Sequence, residues 1–117
     1  MKKVRVLTAE EAALLVNDGD TIATGGFVSC ACPEALSKAL EKRFLETGSP
    51  RHIGWIHSSG QGDKGDRGLN HIAHEGLLDW IIGGHFGPAT KIQTMIAQNK
   101  VKAYNLPQGV ISHMFRD

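Results

Sequence analysis

Asp18 to Leu36, DGDTIATGGFVSCACPEAL, reads as turn, buried strand, glycine corner and helix, in that order. Asn17-Asp18-Gly19-Asp20 is a dense turn signal, and Thr21 to Thr24 is a short β-prone run. Gly25-Gly26 then lets the backbone turn sharply and approach a ligand closely, because no Cβ stands in the way. Pro33 suits the first turn of a helix, where its missing N–H is not needed. A strand that ends in glycines feeding a helix N-terminus presents free backbone N–H groups to an anion or a polarised carbonyl. Many α/β chains turn on glycines for purely steric reasons, and the residues alone leave both readings open.

The flanking sequence continues the alternation. Lys3–Leu7 is a strand candidate, and Thr8 with Glu11 has capping-box spacing ahead of a helix carrying Ala12, Leu15 and Val16. After Pro33, Leu36, Leu40 and Phe44 recur at four-residue spacing with Ala39 beside them, while Glu34, Lys38, Glu41 and Arg43 mostly face water. Gly48 and Pro50 stop that helix, and Ile53, Trp55 and Ile56 form a strand. Ser58 to Gly68 has four glycines and no apolar residue, which predicts a surface loop that is either merely flexible or mobile over a ligand. Leu69–Leu78 is a short helical pattern, Trp80-Ile81-Ile82 a strand, and Gly83-Gly84 a second glycine corner. Pro88 opens a helix with Ile92, Met95 and Ile96 on one face. Val101–Tyr104 is a strand, and the turn at Pro107-Gln108-Gly109 leads into a last helix with Ile111, Met114 and Phe115 inward.

Strands alternating with helices predict an α/β fold with an open, mostly parallel sheet and helices on both faces. Ligands of such sheets sit beyond the carboxyl ends of the strands, where the two glycine corners and the Pro107-Gln108-Gly109 turn line one edge. The 117 residues suit a single domain or part of one, so 1–117 is read as one partial domain. Phe115-Arg116-Asp117 falls inside an uncapped helical pattern, from which more chain beyond it is expected.

Composition narrows the function classes. Thirteen Lys and Arg against twelve Asp and Glu give a net charge of +1 with no basic cluster, so a nucleic-acid partner is not expected. No apolar run has the length of a membrane span, and Met-Lys-Lys-Val lacks the apolar core of a signal peptide, so no membrane partner and a cytoplasmic location are expected. Cys30 and Cys32 are too close for an unstrained disulfide, which fits a reducing compartment. The spacings of Cys30, Cys32, His71 and His74 match no zinc pattern, so no metal is expected. There is no Gly-x-Gly-x-x-Gly fingerprint and no Gly-Lys-Ser/Thr phosphate loop, which argues against a nucleotide cofactor. Cys30 is either a thiolate favoured by the helix N-terminus or a small buried side chain.

Three segments together resemble the amino-terminal part of a family I coenzyme A transferase of the acetate/propionate type. They are DGDTIATGGFVSCACPEAL, then GQGDKGDRGLNHIAHEGLL with IIGGHFGPATK, and finally KAYNLPQGVISHMFRD. The resemblance implies a piece of the first of two similar open α/β halves. It implies transfer of CoA between an acyl-CoA and a small carboxylic acid by a ping-pong route, through acyl-glutamyl anhydride and glutamyl-CoA intermediates on a glutamate of the second half. That glutamate's Glu-Asn-Gly-like setting is absent here, so no residue of this chain is expected to be the nucleophile.

By the same resemblance, Gly25, Gly26, Phe27 and Gln108 belong to the substrate-binding wall near the reacting carbonyl. The coenzyme A thioester is a substrate, and no bound cofactor is expected. A homo-oligomer or a complementing carboxy-terminal chain is expected to complete the site. The alternative is a short, non-catalytic interaction module derived from such an enzyme. Departures from the family pattern are Thr24 where an aliphatic residue is common, Ala31 where glycine is common, and the unusual loop Ser29-Cys30-Ala31-Cys32.

Overall fold

The structure is a computed structural model and describes residues 2–117. Thr8 caps the first helix, α1 (Ala9–Ala13), reciprocally: its Oγ1 accepts from the Glu11 N–H at 3.1 Å, and Glu11 Oε2 accepts from the Thr8 N–H at 2.8 Å. The chain then forms β1 (Thr21–Thr24), α2 (Glu34–Thr47), β2 (Ile53–His57), a 3-10 turn (Leu69–Ile72), β3 (Leu78–Gly83), α3 (Thr90–Ala97), β4 (Lys102–Asn105) and α4 (Gln108–Met114). Gly48, at φ 72°, ends α2 with its N–H on the Phe44 carbonyl, the left-handed stop that glycine makes without strain.

The four strands are all parallel and lie in the order β1-β2-β3-β4, as the alternation of strands and helices predicts. Each crossover steps the same way, so right-handed connections carry the intervening elements over one face. In register, Ile22, Trp55, Ile81 and Ala103 form a row on that face. They pack with Leu40, Ile53, Leu69, Ile72, Leu77, Leu78, Ile92 and Met95 into one core cluster. The opposite face carries the rows Thr21, Gly54, Trp80, Lys102 and Ala23, Ile56, Ile82, Tyr104. The Trp80 ring lies over Gly54, in the space a Cβ would fill, and Ala23 and Tyr104 are exposed.

Several expectations change. Lys3–Leu7 forms no strand, and Val4 and Val6 are 91% and 93% exposed, since no neighbouring strand offers a partner. Leu69–Leu78 holds a single 3-10 turn rather than a helix, because the chain must reach β3 at Leu78. On α2, Ala39 and Leu40 enter the core, whereas Leu36 is half exposed beside β1. Glu34, Glu41 and Arg43 do not simply face water: the first two meet histidines, and Arg43 Nη1 donates to the Ala13 and Val16 carbonyls at 2.8 and 2.7 Å, tying α2 to the end of α1. On α4 only Ile111 is buried; Met114 and Phe115 are exposed.

Ile81 is fully buried at the centre of the core row. Ile81→Ala is expected to destabilise the chain by about 3 kcal/mol, against less than about 0.5 kcal/mol for Val6→Ala. Parallel urea titrations measure both, and comparable losses would contradict this account of the core.

Candidate functional site at the carboxyl edge of the sheet

All four strands end on the same edge, where the loops after them form a continuous wall. After β1, Gly26 adopts φ 127°, and a Cβ there would stand 2.7 Å from Cys32 Sγ, so the position requires glycine twice over. Phe27 and Cys30 exchange both backbone hydrogen bonds, at 2.9 and 2.8 Å, closing a two-residue turn. Val28 occupies its first central position at φ 54°, where a β-branched side chain is strained. Two bonds hold it there: the Val28 N–H donates to the Gly60 carbonyl at 2.7 Å, and the Gly62 N–H donates to the Val28 carbonyl at 2.8 Å. Among the described residues, the N–H groups of Gly25 and Gly26 donate to nothing, and Phe27 is 65% exposed.

The glycine-rich segment that composition suggested to be a surface loop is pinned along its length. Gly60, Gln61, Gly62 and Gly68 are buried. The Gln61 amide pairs reciprocally with Thr24, accepting from its hydroxyl at 3.0 Å and donating to its carbonyl at 3.2 Å. Trp55 Nε1–H donates to the same hydroxyl at 3.0 Å. Thr24, where the family pattern has an aliphatic residue, thus has a polar environment built for it.

At the far end of that segment, His71 lies between two carboxylates. Its Nε2–H donates to Glu34 Oε1 at 2.7 Å and its Nδ1–H to Glu41 Oε2, while His74 Nε2 bonds Glu41 Oε1 at 2.8 Å. The Gly68 N–H donates to Glu34 Oε2 at 2.9 Å. Burial opposes charge on His71, but the bonds to Glu34 and Glu41 outweigh it and raise its pKa. Burial likewise opposes charge on Glu34, yet the His71 bond and the Gly68 N–H hold its pKa down. His71 and His74 are therefore engaged by α2, and no group of three or more His, Cys, Asp or Glu among the described residues is arranged to hold a metal. His57, at the end of β2, has the opposite surroundings. It is fully buried, with Nδ1 2.8 Å from the Ser59 carbonyl and no partner for Nε2, and burial pushes its pKa down.

Gln108 opens α4 beyond β4, and its side chain lies over Gly84, in the space a Cβ there would need. Its Oε1 is 3.5 Å from Ser59 Oγ. The corner and α4 follow the two edge strands, but the Gln108 side chain reaches back over Gly84 towards Ser59, whose neighbour Gly60 accepts from the Val28 N–H. Gly25, Gly26 and Phe27 are thus brought together at one end of the wall and Gln108 at the other. Ser59, Gly60 and Val28 bridge between them. The thiols of Cys30 and Cys32 are free. Cys32 sits against Gly26, and burial, with Glu34 and Cys30 nearby, raises its pKa. The sequence reading did not find the roles of Gln61, Glu34, Glu41 and His71, although Glu34 and Glu41, seven residues and about two turns apart, share one side of α2.

The sequence model described as coenzyme A transferase matches residues 6–116. The acetate CoA-transferase YdiF of Escherichia coli (strain K12) is 37% identical over 118 residues, covering 97% of this chain and 22% of the relative. The caffeate CoA-transferase of Acetobacterium woodii is 32% identical over 113 residues, again 97% and 22%. Among solved structures, the apoenzyme of the acyl-CoA transferase YdiF from Escherichia coli O157:H7 superposes with a TM-score of 0.83 at 39% identity, over 92% of this chain and 21% of that one. Its thioester complex with CoA gives 0.80 at 38% identity, over 89% and 22%. The chain spans about a fifth of the length of the curated relatives it matches.

The charge cluster fixes a sign for pH dependence. Folding raises the His71 pKa, so its contribution is complete below the ordinary value of 6.5 and is lost as pH rises through the raised folded value. Folding lowers the Glu34 pKa, so its contribution is present above 4.5 and lost as pH falls. His71→Gln is expected to cost about 2 kcal/mol near pH 5.5 and progressively less above neutrality. Thermal melts across pH check this; a constant gap from about pH 5.5 to 9 would show that His71 is not held as the cation.

Proposed function

The chain belongs to the coenzyme A transferase family, and we propose that it supplies one wall of the acyl-transfer site of a short-chain acyl-CoA:carboxylate CoA-transferase, as the amino-terminal part of its first half. The observation that carries this reading is the glycine corner: two backbone N–H groups without acceptors, at the carboxyl end of a parallel strand, in a chain matched by the family model along nearly its whole length. Such donors stabilise negative charge developing on a thioester oxygen. Gln108, whose amide offers both a donor and an acceptor, serves the same substrate from the other end of the wall. The acyl-CoA and a small carboxylic acid are the substrates, and acetate is the named acid of the more similar relative. The nucleophilic glutamate belongs to the remainder of the transferase, and a cytoplasmic location is part of the same reading. No helix among the described residues is long and apolar enough to cross a membrane.

Completion by further polypeptide is supported by what this piece leaves open. The Gly54 N–H donates to the Asp20 carbonyl at 2.9 Å, so by strand alternation Thr21 and Ala23 turn their peptide groups to the free edge of β1. Beside that edge an apolar cavity of about 380 Å3 is lined by Val16, Ile22, Leu36, Leu40 and Trp55. An unpaired edge next to apolar surface favours pairing with another strand. The isolated chain is therefore expected to self-associate at high concentration, less so with Ala23→Pro, which removes an outward N–H without touching the β1–β2 ladder. Sedimentation that finds a well-folded monomer at high concentration would count against this.

The test of the transfer reading is Gln108→Ala in the complete transferase. Loss of one donor at the reacting oxygen lowers turnover by about 10²-fold, and Gln108→Glu should be worse because a carboxylate has no proton to donate and repels the incoming acid. Turnover within about twofold of wild type at unchanged thermal stability would leave Gln108 as a turn residue only.

A further inference from the structure

We infer that Gln61 is a positioning residue that aims the Gly25 N–H and suspends the glycine corner between two fixed points. The inference rests on the reading of the corner as a donor site. Gln61 is 2% exposed, and both ends of its amide are used on one residue, Thr24: Nε2 donates to the Thr24 carbonyl at 3.2 Å and Oε1 accepts from the Thr24 hydroxyl at 3.0 Å. The Thr24 carbonyl and the Gly25 N–H belong to the same planar trans peptide and point in opposite directions. Fixing the carbonyl towards Gln61 therefore fixes the N–H away from it. On the other side of the corner, the peptide groups flanking Gln61 hold Val28: the Gly60 carbonyl accepts from its N–H at 2.7 Å, and the Gly62 N–H donates to its carbonyl at 2.8 Å. Gly25, Gly26 and Phe27 are what remains between these anchors.

The corner needs such holding because little in it packs: Cys32 touches Gly26, but nothing lies where a side chain on Gly25 would be. Two glycines have no side chains to fix them and a wide choice of backbone conformations, and Phe27 is exposed. A donor contributes to a transition state only if it already points at the developing charge. An aliphatic residue at position 61 would fill the same volume and leave the Thr24–Gly25 peptide free to rotate. Trp55, by donating to the Thr24 hydroxyl at 3.0 Å, orients that hydroxyl so that its own proton goes to Gln61 Oε1, which settles the amide's orientation and puts Nε2 on the carbonyl.

The test uses the 117-residue chain and backbone ¹⁵N relaxation. In the wild type, order parameters at Gly25 and Gly26 are expected near the rigid value of about 0.85, and in Gln61→Leu below about 0.6, with Ile53–Trp55 unchanged. Unchanged values at both glycines in a folded Gln61→Leu protein would overturn the inference, as would a loss spread evenly over β1 and β2. Gln61→Glu provides a second arm. Its carboxyl can donate to the Thr24 carbonyl only when protonated, so order at Gly25 is expected to be low at alkaline pH and to recover as pH falls; a pH-independent value would also overturn the inference. No turnover enters this readout, so the positioning can fail while the transfer reading stands, and the reverse.

Discussion

The carboxyl edge of this molecule depends on the two backbone bonds between Val28 and the peptides on either side of Gln61. Neither participating segment has regular structure of its own, and one of them places a β-branched residue at φ 54°. Conformations of that kind cost on the order of 1–3 kcal/mol and persist only where the surroundings over-determine them. Here the over-determination is local and visible: bonds of 2.7 and 2.8 Å on Val28, the Phe27–Cys30 pair beside it, and the Thr24–Gln61 pair before it. The two unbonded glycine N–H groups lie inside that frame. A corner of two glycines needs rigidity that glycine does not have, and this fold obtains it from its neighbours.

The same logic runs along the segment from Ser58 to Gly68. It is held at its start by His57 Nδ1 on the Ser59 carbonyl, in its middle by Val28, and at its end by Glu34 on the Gly68 N–H. Glu34 is also the first residue of α2, the helix that follows the glycine corner, and it meets His71 of the 3-10 turn. One carboxylate therefore joins the helix after the first loop to the far end of the second. The two loops close on each other through a clasp at Val28 and a charged bolt at Glu34, with the corner between them.

The fold was legible because its signals are periodic. Thr8 and Glu11 cap as their spacing says, Ile92 and Met95 face inward as theirs says, and the strands at Thr21, Ile53, Trp80 and near Tyr104 alternate with helices as a parallel sheet requires. Periodicity failed where a tertiary partner decides. Lys3–Leu7 has the pattern of a strand but no neighbour to pair with, and Glu34 and Glu41 have the pattern of a solvated face but lie opposite two histidines some thirty residues on. The glycine corner was legible as a turn, and it was the family resemblance that offered it as a substrate wall. Gln61 was not, because a single glutamine among glycines has no period, and its role exists only once Thr24 and Val28 arrive on either side of it.

His57 and His71 show how far one segment's two ends can diverge. Both are buried, yet burial wins at His57, where the only polar partner is a carbonyl and the Phe86 ring packs edge-on at 5.4 Å, and loses at His71, where two carboxylates face the ring. Each sits where a change of charge is most disruptive. The His57 ring occupies the space above Gly83, so a proton on Nε2 would have neither solvent nor acceptor. A proton lost from His71 would leave a carboxylate facing a nitrogen that no longer donates. As pH falls from 6.5 towards 4.5, protonation of the unfolded chain at His57 draws stability away while the His71 bridge keeps its own, and below 4.5 the Glu34 contribution is lost as well. As pH rises, His57 no longer matters and the bridge weakens. The start of the segment is thus the first to weaken in acid and its finish the one that weakens in alkali, while the clasp at Val28 is made of backbone bonds, with the Cys32 thiol donating to the Val28 carbonyl at 3.3 Å.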